Sequence, residues 1–313
     1  MNWIRSIALL YFSLAMLSSC ELPADLDLVT LPPQLVVLAN FSDLDTMEVV
    51  ISKTKPALSE AEVEYISDAV VEIYINGFFA DRLGFHPSPI PQIPGFYESS
   101  GIVPQSGQHF RLKATVPGFE DVEGESTMPW PVEIDTAFTS LLIEKEEYDE
   151  ENNIATITVK IKILDPGSAG NYYHLNFYQQ IYDLSVVNGD TLKNPFYSLP
   201  LVITSEDDNV PLTPYIESRG VLFSEDALEE NQGELTFHTN FKYDRNMQEL
   251  GDFLIELRSV SPEYYFYHRS LANQYQSGQD PSAEPVILYT NILNGQGVFA
   301  GFISRFYRVD TEQ

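Results

Sequence analysis

Cysteine and basic residues are both scarce in this chain. Cys20 is the only cysteine among 313 residues, so no disulfide can form within the chain and the fold must be held by its core. Lysine and arginine number 17 against 46 acidic residues, a formal net charge of −29. Such a surface repels phosphate backbones and anionic lipid, so we expect no nucleic-acid partner. The charge suits either solubility or attraction of divalent cations or a basic partner.

The motifs of common catalytic and cofactor sites are missing as well. There is no G-x-S-x-G elbow, no phosphate-binding glycine loop and no dinucleotide fingerprint. The histidines show no pair at metal-ligand spacing, so we predict no zinc site. They are His86, His109, His174, His238 and His268. Carboxylate pairs are too abundant to single one out, which leaves a two-carboxylate glycosidase open. We predict no catalytic residue and no cofactor.

The chain opens on a short apolar segment and has no later run that could span a bilayer. Arg5 precedes apolar residues 7–17, which are fewer than the about 20 that a spanning helix needs. Leu-Ser-Ser-Cys follows at residues 17–20, the pattern at which bacterial lipoproteins are cleaved and lipidated. The alternative is an ordinary signal peptide with an incidental cysteine.

The lipoprotein interpretation divides the start of the chain into two parts. We predict a signal peptide at residues 1–19 and an acidic tether at residues 20–33, with acyl chains on Cys20 as the contact with the membrane. Each buried methylene of an acyl chain contributes about 0.8 kcal/mol, so several chains anchor the protein stably.

Composition and alternation predict a mainly β protein. Tyrosine and phenylalanine number 18 and 19, and proline and glycine, which punctuate strands, number 20 and 17. Apolar residues at 110, 112, 114 and 116 alternate with polar ones, so one face of that strand is buried. Asn76 and Gly77 between apolar runs indicate a tight hairpin. With further strands at residues 35–39, 47–51 and 69–75, we predict an immunoglobulin-like or transthyretin-like β-sandwich over residues 34–129.

A second β-sandwich is predicted over residues 132–313, after the stiff Pro-Trp-Pro link at residues 129–131. Its strands are expected at residues 154–163, 172–181, 235–241 and 253–257. The polar stretch at residues 183–231 is expected to be an insertion or a mobile loop.

One helix is predicted in the second domain, near residues 261–276. Ser261 suits the N-cap, Pro262 the first helical position and Gly278 the end. Near the end of the chain, Asn294 and Gly295 indicate a last hairpin.

Two sets of residues are candidate binding positions. The first offers carboxylate ligands for calcium, with solvated loops as the favoured explanation: Asp149, Glu151, Asp207 and Asp208. The second lies on the predicted helix and forms either a binding platform or a face packed on a sheet: Tyr264, Tyr265 and Tyr267.

Four segments resemble the lipoprotein family known as domain of unknown function 4249. They are the Cys20 lipobox with the strand that begins at Leu35, Pro-Val-Glu-Ile-Asp at 131–135, Ser-Val-Ser-Pro-Glu-Tyr-Tyr at 259–265, and Tyr-Thr-Asn-Ile-Leu-Asn-Gly-Gln-Gly-Val-Phe at 289–299. The last segment also has a structural interpretation, with Gly297 and Gly301 allowing close backbone approach and Phe299 and Phe302 packing inward.

The resemblance implies an outer-membrane lipoprotein of Gram-negative bacteria that accompanies a TonB-dependent receptor, a large β-barrel. It implies no catalytic residues, and both the periplasmic and the cell-surface face of the membrane fit it. We therefore expect a non-enzymatic accessory or ligand-binding partner of such a receptor in nutrient uptake. The alternatives are a hydrolase of glycans or peptides and a calcium-dependent adhesion module.

Overall fold

The computed structural model describes residues 32–56, 61–90, 93–164, 170–205, 213–214, 219–230, 233–279, 284 and 286–310. The described residues are mainly β, with 58% of them in strands and 8% in helices, which confirms the predicted fold class. The predicted signal peptide, Cys20 and nearly all of the tether lie outside these residues.

The described elements follow one another in this order: β1 Leu35–Ser42, β2 Glu48–Lys53, β3 Val70–Ile75, β4 Phe78–Arg82, β5 Gly84–His86, β6 Phe96–Glu98, β7 His109–Thr115, β8 Val122–Thr127, β9 Ile134–Lys145, β10 Asn152–Ile163, β11 Tyr172–Val187, β12 Asp190–Tyr197, β13 Thr204–Ser205, β14 Thr213–Pro214, β15 Val221–Ser224, α1 Asp226–Glu230, β16 Glu234–Asp244, β17 Gln248–Val260, α2 Pro262–Ser277, β18 Ile292–Leu293 and β19 Gln296–Val309.

The first sandwich encloses an aromatic core. One of its sheets has the order β18-β8-β7-β3-β4, and the other layer comes from β1, β2, β5 and β6 with the first half of β19. Phe41 lies 5.2 Å from Phe110 and 4.7 Å from Phe299 between ring centroids. The predicted alternation is confirmed, because Phe110, Leu112 and Ala114 are fully buried.

The second sandwich pairs a four-stranded sheet, β13-β16-β10-β9, with strands β11 and β17. Ile157, Val159 and Ile161 of β10 point into the core from one side. Phe177 of β11 and Ile255 of β17 meet them from the other, and all five side chains are almost entirely buried.

A ten-stranded sheet runs through both sandwiches. Its order is β14-β15-β11-β17-β19-β1-β2-β6-β5, with β12 paired to β11. The first half of β19 pairs in parallel with β1, from Val36 opposite Gln296 to Ser42 opposite Phe302. The second half pairs antiparallel with β17. Strands from both sides of residues 129–131, where we predicted a domain boundary, therefore belong to one sheet.

The described part of the polar stretch at residues 183–231 contains more regular structure than expected. It contains β12 to β15 and α1, and the expectation of an insertion outside the core was wrong for its end. Val221 and Phe223 are buried in the core of the second sandwich, and Leu222 is buried against α2 on the opposite face. A strand that is covered on both faces does not alternate between apolar and polar residues. Three consecutive apolar residues close to acidic ones therefore give little indication of a buried strand.

The turn at Asn294 and Gly295 exists, but it does not join two paired strands. Asn294 has a φ of 59°, as a tight turn requires. The preceding strand β18 pairs with β8, whereas β19 pairs with β1, so the turn carries the chain from one sheet to the other. The dipeptide specifies a sharp reversal and contains no information about which sheet each flank joins.

Asn291 fixes this crossing. Its side-chain amide donates to the carbonyl oxygens of Glu125 and Phe299 at 2.8 Å, and its oxygen accepts from the Phe299 amide at 3.0 Å. Phe299 is fully buried, as predicted, while Phe302 is only partly buried. The segment at 289–299 thus joins the two sheets of the first sandwich.

Replacing Gly297 by alanine should destabilise the protein strongly. Gly297 has a φ of +105°, and a Cβ there would overlap the carbonyl oxygen of Val37 on the paired strand. We expect a loss of about 3 kcal/mol or more, measured by chemical denaturation. Gly189→Ala is the matched control, since Gly189 has a φ of +92° but no atom within 4 Å of its Cβ position. It should cost about 1 kcal/mol, and equal losses would contradict the close approach.

Candidate functional site

Helix α2 begins as its sequence predicts. Ser261 has extended backbone, with φ −67° and ψ 158°, and its hydroxyl accepts from the Tyr264 amide at 3.3 Å. Pro262 takes the first position and Glu263 lies near the positive end of the helix dipole. The helix lies on the large sheet over β19 and β11, and it buries Tyr264, Tyr265, Tyr267, His268 and Ala272.

A buried ion pair lies beneath the helix. Arg258 binds the Glu256 carboxylate with two nitrogens, Nε to Oε1 at 2.6 Å and Nη2 to Oε2 at 3.1 Å. The same carboxylate accepts from Ser304 Oγ at 2.7 Å, Tyr178 Oη at 2.8 Å and Asn176 Nδ2 at 3.2 Å. Glu256 therefore accepts five hydrogen bonds from three adjacent strands, with its side chain 3% exposed.

The hydrogen bonds decide the charge of Glu256. Burial by itself raises the pKa of this carboxyl, but the charge of Arg258 and the hydrogen bonds from Arg258, Ser304 and Tyr178 outweigh burial, so the pKa lies below its ordinary value. Burial and the neighbouring Glu256 charge raise the pKa of the Tyr178 hydroxyl, which stays protonated and can donate. The network is a satisfied ion pair at neutral pH.

Tyr264 connects this ion pair to two histidines. Its hydroxyl lies 2.9 Å from Nδ1 of His174 and accepts from Arg258 Nη1 at 3.4 Å, and its ring lies 4.1 Å from that of His268. Burial, followed by the charges of Arg258 and His268, lowers the pKa of His174 well below its ordinary value. Burial and the charge of Arg258 lower the pKa of His268 to about 3. Both imidazoles are neutral at physiological pH.

An open cleft lies beside this network, between α2 and the corner that joins β15 to α1. We call it the aromatic cleft. Its volume is about 240 Å³, and it is lined by Gly170, Asn171, Tyr172, Ser224, Glu225, Asp226, Tyr265, Phe266 and Arg269.

Stacked aromatic rings form one wall of the aromatic cleft. Tyr172 stacks on Tyr265 with centroids 4.4 Å apart and planes at 23°. Phe266 meets both rings edge-on at 5.5 Å and lies 5.7 Å from Tyr289. Phe266 is 39% exposed, so part of its ring reaches solvent at this wall. Such contacts hold the rings in fixed relative positions.

Arg269 supplies the positive charge of the cleft. It follows Tyr265 by one helical turn, and its guanidinium carbon lies 5.8 Å from the Tyr265 ring centroid. Its side chain is exposed, and it takes part in none of the ion pairs that the described residues form. A guanidinium in this position has donors available for a ligand.

The two acids of the cleft are already engaged. Glu225 accepts from the amide of Gly170 at 2.6 Å and from the amide and side chain of Asn171 at 3.1 Å. These bonds, with the Gly170 amide as the largest cause, lower the pKa of Glu225. Asp226 accepts from Ser224 Oγ at 2.9 Å. Glu225 therefore fixes the rim of the cleft, and Asp226 keeps one exposed carboxylate edge.

The structure places the three candidate tyrosines in different surroundings. Tyr265 lines the aromatic cleft, Tyr264 lies in the buried network, and Tyr267 packs in the apolar cluster under α2. Sequence reasoning missed Arg269 and Tyr172. The spacing of Tyr265 and Arg269 is a usable signal for the arginine, whereas Tyr172 is brought to the helix only by the tertiary fold.

Of the calcium candidates, Asp207 and Asp208 lie outside the described residues. Asp149 accepts from Lys242 Nζ at 3.0 Å and from Asn152 Nδ2 at 2.6 Å, and its other oxygen accepts from the Glu151 amide at 3.2 Å. The Asp149 carboxylate therefore holds this loop in place through its hydrogen bonds within the loop and its ion pair with Lys242. Over the ranges that the structure covers, no three histidine, cysteine, aspartate or glutamate side chains meet as a metal site.

A family model matches residues 21–305, nearly all of the chain, and its description is domain of unknown function, DUF4249. The chain belongs to the DUF4249 family. No curated protein matches it. None of the helices in the described ranges has the length and apolar character to cross a membrane.

Two solved structures have a distant likeness to this DUF4249 protein. The beta-glucuronidase of Parabacteroides merdae is 14% identical over 74% of this chain and 24% of its own, with a TM-score of 0.22. The chain thus spans about a quarter of that enzyme. The B domain of a biofilm associated protein is 8% identical over 87% of this chain and 85% of its own, with a TM-score of 0.18. Likenesses this weak carry no argument about function.

Removing the charge of Glu256 should destabilise the protein. In Glu256→Gln the partly buried Arg258 loses its counter-ion, and we expect a loss of about 3 kcal/mol in the free energy of unfolding. The control is Asp252→Asn, because Asp252 pairs with Arg308 at the surface, where the side chains are 33% and 65% exposed. It should cost less than about 1 kcal/mol. A Glu256→Gln protein as stable as the control would show that the ion pair is dispensable.

The two buried histidines should make stability fall in acid. In the folded protein His268 has a pKa of about 3, against 6.5 for an unperturbed histidine such as that of the unfolded chain. Between pH 3 and pH 6.5 the unfolded state therefore binds more protons than the folded state. Their stabilising contribution is complete above pH 6.5 and is lost as pH falls. His268→Gln should reduce the slope of unfolding free energy between pH 6 and 4 by about 1.4 kcal/mol per pH unit.

Denaturant titrations at several pH values measure this slope. His86→Gln is the control at a solvent-exposed histidine, since the His86 side chain is 55% exposed. An unchanged slope in His268→Gln would contradict a neutral, buried imidazole.

Proposed function

We propose that this DUF4249 protein is a non-enzymatic lipoprotein of the outer membrane that binds a ligand as the accessory partner of a TonB-dependent receptor in nutrient uptake. The lipobox that ends at Cys20 supports the membrane anchor. The resemblance of residues 259–265 and 289–299 to the family's lipoproteins supports the receptor as partner.

The aromatic cleft carries the binding part of the proposal. Arg269 and the exposed ring of Phe266 can hold a ligand by charge and stacking, and neither side chain is a nucleophile or a proton-transfer group at neutral pH. Of the two acids that line the cleft, Glu225 is occupied by three N–H donors. Such a cleft suits binding better than bond cleavage.

Purification of the lipidated protein in mild detergent tests the proposal. We expect a TonB-dependent β-barrel receptor to co-purify in near-equal amount, because the lipid and the folded domains hold the protein beside it. Recovery of the protein alone in several detergents would argue against an accessory role.

Cys20→Ala is the variant that tests the anchor. Without the thiol no diacyl group can be attached, so the variant should incorporate no labelled palmitate, whereas the unaltered protein should incorporate it. Ser19→Ala is its control, since a small residue remains before the cysteine. A Cys20→Ala protein that still incorporates labelled palmitate would contradict lipid anchoring at this residue.

A further inference from the structure

We infer that the aromatic cleft binds a saccharide unit that carries a carboxylate. This inference rests on the proposed ligand-binding function and names the chemical class of the ligand. It combines three groups of the cleft that face one small volume: a guanidinium, an apolar ring face and a set of hydrogen-bonding side chains.

Arg269 selects the carboxylate. A guanidinium binds a carboxylate with two parallel hydrogen bonds, which gives both strength and orientation. The acids that line the same cleft keep their charges but form no ion pair with Arg269. Glu225 accepts from the amides of Gly170 and Asn171, and Asp226 accepts from Ser224, so the donors of Arg269 are left for a ligand. The net charge of −29 opposes an anion at long range, but at physiological salt this repulsion is screened beyond about 8 Å.

The aromatic wall favours a ligand with a ring that can pack against Phe266. Phe266 is 39% exposed at the mouth of the cleft, and its edge-on contacts with Tyr172 and Tyr265 hold its orientation. A pyranose has a C–H face that packs on an aromatic ring, while its hydroxyls point outward around its edge. An aliphatic carboxylate without a ring would leave the aromatic wall largely uncovered.

The remaining lining groups suit hydroxyls. Asp226 has an exposed carboxylate that can accept from a diol, and Ser224 and Asn171 lie beside it. The volume of about 240 Å³ is below the roughly 300–1,000 Å³ of sites for drug-sized ligands, which fits a single sugar ring at the end of a chain.

Ligand-observed NMR on the full lipidated protein in detergent tests this inference. The probes are sodium D-galacturonate and D-galactose, which share the ring and its hydroxyl configuration and differ only at C6, a carboxylate in the first and a hydroxymethyl group in the second. We expect galacturonate to bind at least about tenfold more tightly than galactose, the usual scale for a charge-assisted pair. Equal affinities, or no binding of galacturonate at millimolar concentration, would overturn the inference.

Variants assign the effect to the cleft. Arg269→Gln should lower galacturonate affinity to that of galactose, and Phe266→Ala should weaken both sugars. Arg308→Gln is the matched control, since Arg308 is an exposed arginine, 65% exposed, on β19 outside the cleft. A galacturonate affinity that survives Arg269→Gln, or that falls equally in the control, would also overturn the inference.

This experiment and the receptor experiment can fail separately. Receptor co-purification without galacturonate binding would leave the accessory role and remove this ligand class. Galacturonate binding that depends on Arg269, without a receptor, would keep the ligand class and remove the partner.

Discussion

The parallel pairing of β1 with β19 is the interaction on which the rest of the structure depends. It joins the first described strand to the last one, and the Gln296 side chain donates to that of Gln34 across 262 positions of sequence. The same strand continues along β17, so one polypeptide segment completes both sandwiches. Since β18 also enters the opposite sheet of the first sandwich, that sandwich cannot close before the end of the chain is present. Pairing over such a distance makes folding slow.

The aromatic cleft inherits its rigidity from this sheet. Helix α2 follows β17 directly and lies on β19 and β11, and the Glu256–Arg258 pair with its five hydrogen bonds fixes the surface beneath the helix. A buried ion pair contributes little net stability, but its geometry admits few alternatives. The cleft therefore lies beside a helix that is fixed on the large sheet. Tyr265 and Arg269, one helical turn apart on that helix, line the cleft. A rigid wall lowers the ordering cost of binding.

Local patterns predicted the elements of this fold, and they failed where the tertiary fold decides. The alternation of residues 110–116, the turn at Asn76 and Gly77, with φ of 51° and 83°, and the cap at Ser261 are each set by neighbours in sequence. The burial of Val221, Leu222 and Phe223 depends on two layers that meet around them, and no local signal announces it. Likewise Tyr172 contacts Tyr265 only because the folded sheet places β11 beneath the helix. The sequence therefore predicts the helix that lines the cleft but not the other residues of the cleft.

Native-state hydrogen exchange tests most directly whether β19 unites the two sandwiches. The amides to compare are those of Val37 on β1 and Val159 on β10, which lie in the cores of different sandwiches. If the shared sheet makes one cooperative unit, both amides should exchange with the same opening free energy and the same dependence on denaturant, because both open only in global unfolding. Exchange of the Val37 amide at a clearly lower free energy, with a smaller denaturant dependence, would show that the first sandwich opens by itself and would contradict the account.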